Sequence, residues 1–371
     1  MNVRPIHWIG GIGLLAASLV SEGCVSPLAM HRAVIEYDRT VSRIETELLL
    51  LNIARIRHHL PIHFTSVSSI AATFDFRMNT GLTGRFSESP STDSLTLTLG
   101  TSAAESPTVS IVPIKGEEFT ERLLTPITED IVLFLAHQGI DPGLLFRLLG
   151  RGIFVEQGST RTFYLNMPHR AAEYREFRRR ILHLSSLYLA RQLFIGPLQF
   201  VQNAKRVTGR IAITNYDPNW LPNGERQALH DYAQQFPLNH VLIDIRSGYP
   251  GGDYPLFGHL KLRSFKAILG FLGRGIQEEP EFHVDPDPRS GPVLANPVKT
   301  LNIRESREPP PGDTIIAVYE QGYWYFLEPH MDTTGWEARW QFEAFDVLYQ
   351  LFHLTVTEVA RTSVLPITIA K

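Results

Sequence analysis

Several groups of residues have types and spacings that could do chemistry. His58, His59 and His63 form the densest histidine group, and imidazoles four apart on one helix can share a metal ion. Pro61 stands between His59 and His63 and takes them off a common helix face, so polar residues at a helix end are the expectation, with no metal or other cofactor. His283, Asp285 and Asp287 lie among prolines without the glycine and closing glutamate of a calcium loop, and read as a solvated acidic loop. Ser247 to Gly252 is a glycine-rich turn that lacks the lysine of a phosphate loop. No G-x-S-x-G, H-E-x-x-H or S-x-x-K motif occurs, which removes the common serine-hydrolase, zinc-protease and penicillin-binding signatures. Scattered carboxylates of the glycosidase kind stay open, because those are defined by separation in space. Arg175, Arg178, Arg179 and Arg180 crowd one stretch and are the candidate contact for an anionic partner. Glu176, four residues before Arg180, offers the usual partner within a solvated helix face. Tyr323 to Phe326 has the aromatic density of a sugar-stacking platform, although in a strand half of such residues face inward.

Cys24 is the single cysteine, so it closes no intrachain disulfide. It follows Ser21, Glu22 and Gly23, which in turn follow an apolar run from Trp8 to Val20. As a helix that run covers about 20 Å, short of the ~30 Å hydrocarbon core, and reads as the core of a signal peptide over residues 1–23. The small Gly23 before Cys24 resembles the lipobox of bacterial lipoproteins, in which a cysteine preceded by a small residue is lipidated and becomes the first residue. Ser21 and Glu22 depart from the leucine and small residue usual there; simple cleavage at Gly23 is the alternative. Val25 stands where aspartate favours inner-membrane retention, so the resemblance implies the outer membrane.

The elements that must position these residues come from 371 residues with 43% hydrophobic and 20% charged content, enough for a sizeable core. A net charge of -3 supplies no field for nucleic acid, which is excluded as a partner. Val34, Tyr37, Val41, Ile44, Leu48 and Leu51 predict an amphipathic helix over 31–57 with one seam, ended by Pro61 and packed on the protein's own body. Val67, Ile70, Phe74 and Phe76, then Leu95, Leu97 and Leu99 alternating with Thr96 and Thr98, then 108–114, predict three strands with turns at 79–84 and 87–94. Helices follow over 117–124, 128–138, from Pro142 behind its cap Asp141, and over 170–193, with a short strand at 162–165. Strands at 210–214 and 240–245 flank a helix at 224–236, and another helix covers 264–273. Residues 278–311 read as a proline-rich linker or surface excursion. A hairpin at 314–327, a helix at 336–353 and a closing strand at 364–369 complete an α+β fold: amphipathic N-terminal helix, small antiparallel sheet, helical middle, α/β-like C-terminal half. The expected divisions are 1–23, 24–60, 61–210 and 211–371.

The chain also resembles a family of uncharacterised, mainly proteobacterial lipoproteins. The likeness rests on Leu48 to Arg55 with Arg57, Phe64, Val67 to Ser69, Glu105 to Thr108 on to Pro113, Gly116 to Phe119, Arg122 to Ile127, Leu262 to Phe265, Gly322 to Tyr325, and Leu365-Pro366. It implies a lipid-anchored envelope protein and carries over no catalytic residue. The expected role is non-enzymatic binding or scaffolding, with the membrane as one partner through Cys24 and an envelope protein or glycan as another. The alternatives are an envelope hydrolase or transferase acting on polysaccharide or peptidoglycan, and an oligomeric outer-membrane channel component using the strands at 62–114.

Overall fold

Strands β6 (Lys205–Thr214) and β7 (His240–Ile245) carry the consecutive apolar runs Ile211 to Ile213 and Val241 to Ile243 because both of their faces are covered there. Ile211, Ile213, Val241, Ile243 and Ile245 enter the main core, whereas the intervening Ala212 and Leu242 pack with Leu229 and Ala233 of α6 (Asn223–Gln234) on the other side. A computed structural model of the chain describes residues 7–85, 94–312, 314–328 and 336–355, with side chains outside 7–30, 33, 66–112 and 336–338. It is an α+β fold.

Around β6 and β7 a six-stranded sheet forms in the order β4-β3-β8-β7-β6-β5, with β3 Gly150–Gln157, β4 Thr160–Leu165, β5 Phe194–Gln202 and β8 Leu256–Leu262. Only β6 and β7 are parallel, joined through α6; the other neighbours are antiparallel. The sequence reading missed β3, β5 and β8. Glycines interrupt β3 and β8 where the backbone approaches a neighbour closely, and β5 carries Gly196, Pro197 and a bulge before Gln199. The expected boundary at 210/211 falls inside β6.

The main core is built by α4 (Pro142–Leu149) and α5 (Ala171–Leu189), which pack between the sheet and α7 (Phe265–Gly275) and α8 (Trp336–Thr355). The predicted start of α4 is present: Asp141 accepts from the Gly143 N–H at 2.5 Å and from Ser185 Oγ at 2.9 Å, with Pro142 at the first helical position. Every residue of α4 is buried. Helices α2 (Glu117–Leu124) and α3 (Glu129–His137) lie near their expected positions. A three-stranded sheet, β10 (Ala317–Glu320), β11 (Tyr323–Leu327) and β9 (Ile303–Ser306), contains the expected hairpin. Gln321 and Gly322, with φ of 49° and 86°, make its two-residue turn.

The proline-rich segment before β9 is not a linker. Glu281, Val284, Asp287, Thr300 and Leu301 in it are buried, because carbonyls and side chains there answer polar groups of α4 and α5.

The chain divides into two units, 1–44 with 65–113, and 45–64 with 114–371. Helix α1 (His7–Arg57) is continuous. Its last turns belong to the second unit, where Leu49, Leu50, Ile53 and Ala54 are fully buried and the expected seam residues Leu48 and Leu51 are only half-buried. The cause is close packing by α7: a Cβ on Gly273 would stand 2.9 Å from the Ile53 carbonyl oxygen. Buried Asn52 then closes the chain reversal, donating to the Leu48 and His63 carbonyls and accepting the His63 N–H at 2.7 Å.

In the first unit, β1 (Phe64–Arg85) and β2 (Ser94–Ile114) pair as a two-stranded sheet. The expected turn at 79–84 lies inside β1, and the separate strands at 94–99 and 108–114 are one. Most of the expected loop at 87–94, and the closing strand at 364–369, lie outside the described residues.

Candidate functional site

The four arginines of α5 separate by burial. Arg178 is fully buried; it donates to Tyr174 Oη and Asn296 Oδ1, both at 2.8 Å, and stands 3.7 Å from Glu281. Arg180 is buried against Glu176 at 2.7 Å and lies over the Tyr164 ring. Neither reaches an external partner, which corrects the expectation for these two: α5 is covered on more than one side, so Arg178 is buried by the segment that carries Glu281 and Asn296 and Arg180 by Tyr164 and Tyr254. Arg179 pairs with Glu176 at 3.1 Å, and Arg175 lies over the Phe282 ring. Those two alone remain at the surface.

The residue that sequence reasoning missed is Glu281. Its carboxylate takes Arg147 at 3.2 Å, Tyr174 Oη at 2.9 Å, and the Thr300 N–H and hydroxyl at 2.5 and 2.8 Å. Burial pushes its pKa up, but Arg147, Arg178 and the Thr300 hydrogen bonds outweigh that and leave it below the ordinary glutamate value. A glutamate among prolines gives no sequence signal for such a role. The arrangement is structural: both carboxylate oxygens of Glu281 accept from groups inside the protein.

A second polar centre borders a cavity of about 460 Å³. There His183 Nδ1 stands 3.1 Å from Ser290 Oγ, the separation of a nucleophile and its base. Burial depresses His183 to about 4, so it is a weak base at neutral pH. Its Nε2 is buried without a hydrogen-bond partner among the described residues. Asp287, the nearby carboxylate, is committed to Arg289 at 2.7 and 2.8 Å, which holds it at about 2. The pair therefore lacks the orienting carboxylate of a triad. Other buried carboxylates also have partners inside the protein: Glu129 pairs with Arg210, Asp141 accepts from Ser185 and the Gly143 N–H, and Asp244 accepts from Tyr216 and Arg246.

The histidine group does not converge. His58 Nε2 meets Tyr325 Oη at 2.6 Å, His59 Nε2 lies 3.3 Å from Glu278, and the His63 backbone is held by Asn52. Among the described residues no three His, Cys, Asp or Glu are placed to hold a metal. His283 pairs with Asp285 at 3.2 Å on the surface. The Ser247–Gly252 segment is a turn, with Asn215 Nδ2 donating to the Arg246 and Pro250 carbonyls. Tyr325 and Phe326 are buried, and the aromatic run is mainly packing. Gly23 and Cys24 lie within α1.

The remaining feature is the ribbon β1–β2. Its strands have 22 and 21 residues, and at about 3.3 Å per residue each is ~70 Å long. No further strand pairs with either outer edge among the described residues. Ile70, Ala72, Phe74, Phe76, Met78 and Leu82 occupy alternate positions of β1, interleaved with Thr73, Asp75, Arg77 and Asn79. In β2 Leu95, Leu97 and Leu99 alternate with Thr96 and Thr98, and Thr101 takes the next place in the apolar register. Among the described residues no helix is long and apolar enough to cross a membrane.

No protein-family model, curated protein or solved structure matches the chain.

Proposed function

We propose that the protein is a lipid-anchored component of the cell envelope with a non-enzymatic role, and that its copies join through the ribbon β1–β2 into a closed outer-membrane barrel. Cleavage between Gly23 and Cys24 leaves Cys24 as the lipidated first residue and 24–57 as the helix that follows the anchor. The likeness to uncharacterised proteobacterial lipoproteins supports the anchor.

The ribbon is the observation that carries the assembly. A lone hairpin is marginal in water, and here two long edges leave a row of backbone donors and acceptors unpaired. Pairing β1 of one copy with β2 of the next satisfies both edges at once, and repetition closes a barrel with an even number of strands. The alternating stretch of β1, Ile70 to Met78, has the 9 or so residues that a tilted membrane strand needs, with apolar residues at one set of alternate positions, and Leu95, Leu97 and Leu99 repeat that pattern in β2.

The test is extraction of the full-length protein from native membranes in mild detergent, followed by crosslinking and native mass measurement. A stable ring of identical copies, lost when residues 65–113 are deleted, is the expected result. A single copy, alone or with a different protein, would overturn the self-assembly.

A further inference from the structure

A different cavity, of about 350 Å³, opens in the second unit between the end of α2, one face of α7, and Arg151 of β3 with the end of β8. Its wall is unevenly charged. Arg151, Lys261, Arg263 and Arg274 line it against one carboxylate, Glu279. Glu279 is already matched, lying 3.2 Å from His169 and 3.7 Å from Arg274. Arg151 and Lys261 enter no ion pair among the described residues. Arg263 is 5% exposed, and its donors go to the Arg147, Leu148 and Asn166 carbonyls at 3.1, 3.0 and 2.7 Å, so its charge is answered by dipoles and by no carboxylate in contact. Burial pulls its pKa down to about 9.

The backbone places Arg151 deliberately. Pairing between β3 and β8 steps from Gly150 opposite Leu262 to Gly152 opposite Lys261, so Arg151 is the extra residue of a bulge. A Cβ on Gly150 would stand 2.5 Å from the Phe146 carbonyl oxygen, and one on Gly152 2.7 Å from that of Tyr164. Glycine on both sides lets the strand approach its neighbours while Arg151 lines the cavity next to Lys261.

Asn166 adds an independent requirement. It lines the same cavity and is 1% exposed. Its amide nitrogen donates to the Arg147 and Gly150 carbonyls, both at 2.9 Å, which fixes the orientation and leaves Oδ1 a buried acceptor without a partner among the described residues. The first turn of α7 is not needed as a donor, since Ser264 Oγ already accepts the Ala267 N–H.

Unmatched positive charge and an unmatched acceptor together select an anion that also carries a hydrogen-bond donor. Hydrogen phosphate, or a phosphate group beside a hydroxyl, has both; sulfate at neutral pH has the charge alone. We propose that this cavity binds a phosphate-type anion, its charge against Arg151 and Lys261 and its O–H donated to Asn166 Oδ1. This site does not depend on assembly through the ribbon.

Calorimetric titration of the full-length protein with inorganic phosphate, glycerol 3-phosphate and sulfate tests it. At least one phosphate should bind saturably and at least ~10-fold more tightly than sulfate, and whichever phosphate binds more tightly identifies the source as a free anion or a glycerophosphate group. Arg151→Ala and Lys261→Ala should each weaken phosphate binding at least ~10-fold while the thermal unfolding profile stays unchanged. Asn166 supports the bulge, so its part is read in the native protein from the phosphate-to-sulfate ratio. No saturable binding of either phosphate, equal binding of sulfate, or phosphate binding unaffected by both variants would each overturn the proposal.

Discussion

Arg147 on α4 and Glu281 in the proline-rich segment meet at 3.2 Å across 134 residues of sequence, with side chains 1% and 6% exposed. Removing one member of such a pair leaves the other charged and buried. Glu281→Ala should therefore destabilise the protein by about 3–5 kcal/mol, with Glu281→Gln less harmful because its amide oxygen still accepts from Thr300. Urea unfolding measures both, and a loss under about 1 kcal/mol for the alanine variant would show that the segment is not held by this pair.

The glycines of β3 give a steric contrast. In Gly152→Ala the new methyl meets the Phe163 ring at 2.6 Å and the Tyr164 carbonyl oxygen at 2.7 Å, so a cost of about 1–3 kcal/mol is expected. Gly196→Ala has nothing within 4 Å and should be neutral or slightly stabilising. Melting curves of the two variants should differ by several degrees; equal curves would remove the packing argument.

Acid should weaken the fold before the carboxylates titrate. Burial depresses His183 and His240 to about 4 and His259 to about 3, against 6.5 when unfolded. Between those values the unfolded chain binds protons that the folded chain does not. Stability is thus complete above about pH 6.5 and falls on acidification, by up to ~1.4 kcal/mol per pH unit for each histidine. Glu129 and Asp141, whose carboxyls burial pushes up, oppose this in the lower part of the window. Unfolding free energies measured at pH 7, 6 and 5 should decline; a flat profile would mean these imidazoles protonate in place.

Phe74→Asp and Leu97→Asp each put a charge into the alternating apolar positions of the ribbon. Both should lower the number of copies in the detergent-extracted assembly and leave the urea midpoint of the second unit unchanged, since both residues belong to the first unit. An intact ring in both variants would remove the apolar face from the assembly.

Cys24→Ser should abolish any acyl mass on the mature N-terminus and shift the protein from the membrane to the soluble fraction of lysed cells. Retention of the variant in the membrane after a carbonate wash would mean that attachment does not require the cysteine.

Elements whose signal is local were legible without the fold. The cap and proline at Asp141-Pro142 announced α4, the periodicity after Arg170 announced α5, and the apolar alternation of β7 marked a strand. Strands β3, β5 and β8 were not legible, because glycines and a bulge replace the alternation where the backbone meets its neighbours. Nor could the burial of Arg178 and Arg180 be read: charge suggests solvent, and only Glu281, Asn296 and Glu176 in their actual places make the interior tolerable for them.

By itself the sequence determined the α+β class, most helices and a lone cysteine behind an apolar run, since composition, caps and periodicity act between residues near in the chain. Tertiary structure alone decided which charges are matched. Glu281 gains partners from α4 and α5, while Arg151 and Lys261, brought side by side by one bulge, gain no ion pair among the described residues. Electrostatic balance is a property of distances in space, and 134 residues can separate the two groups that settle it.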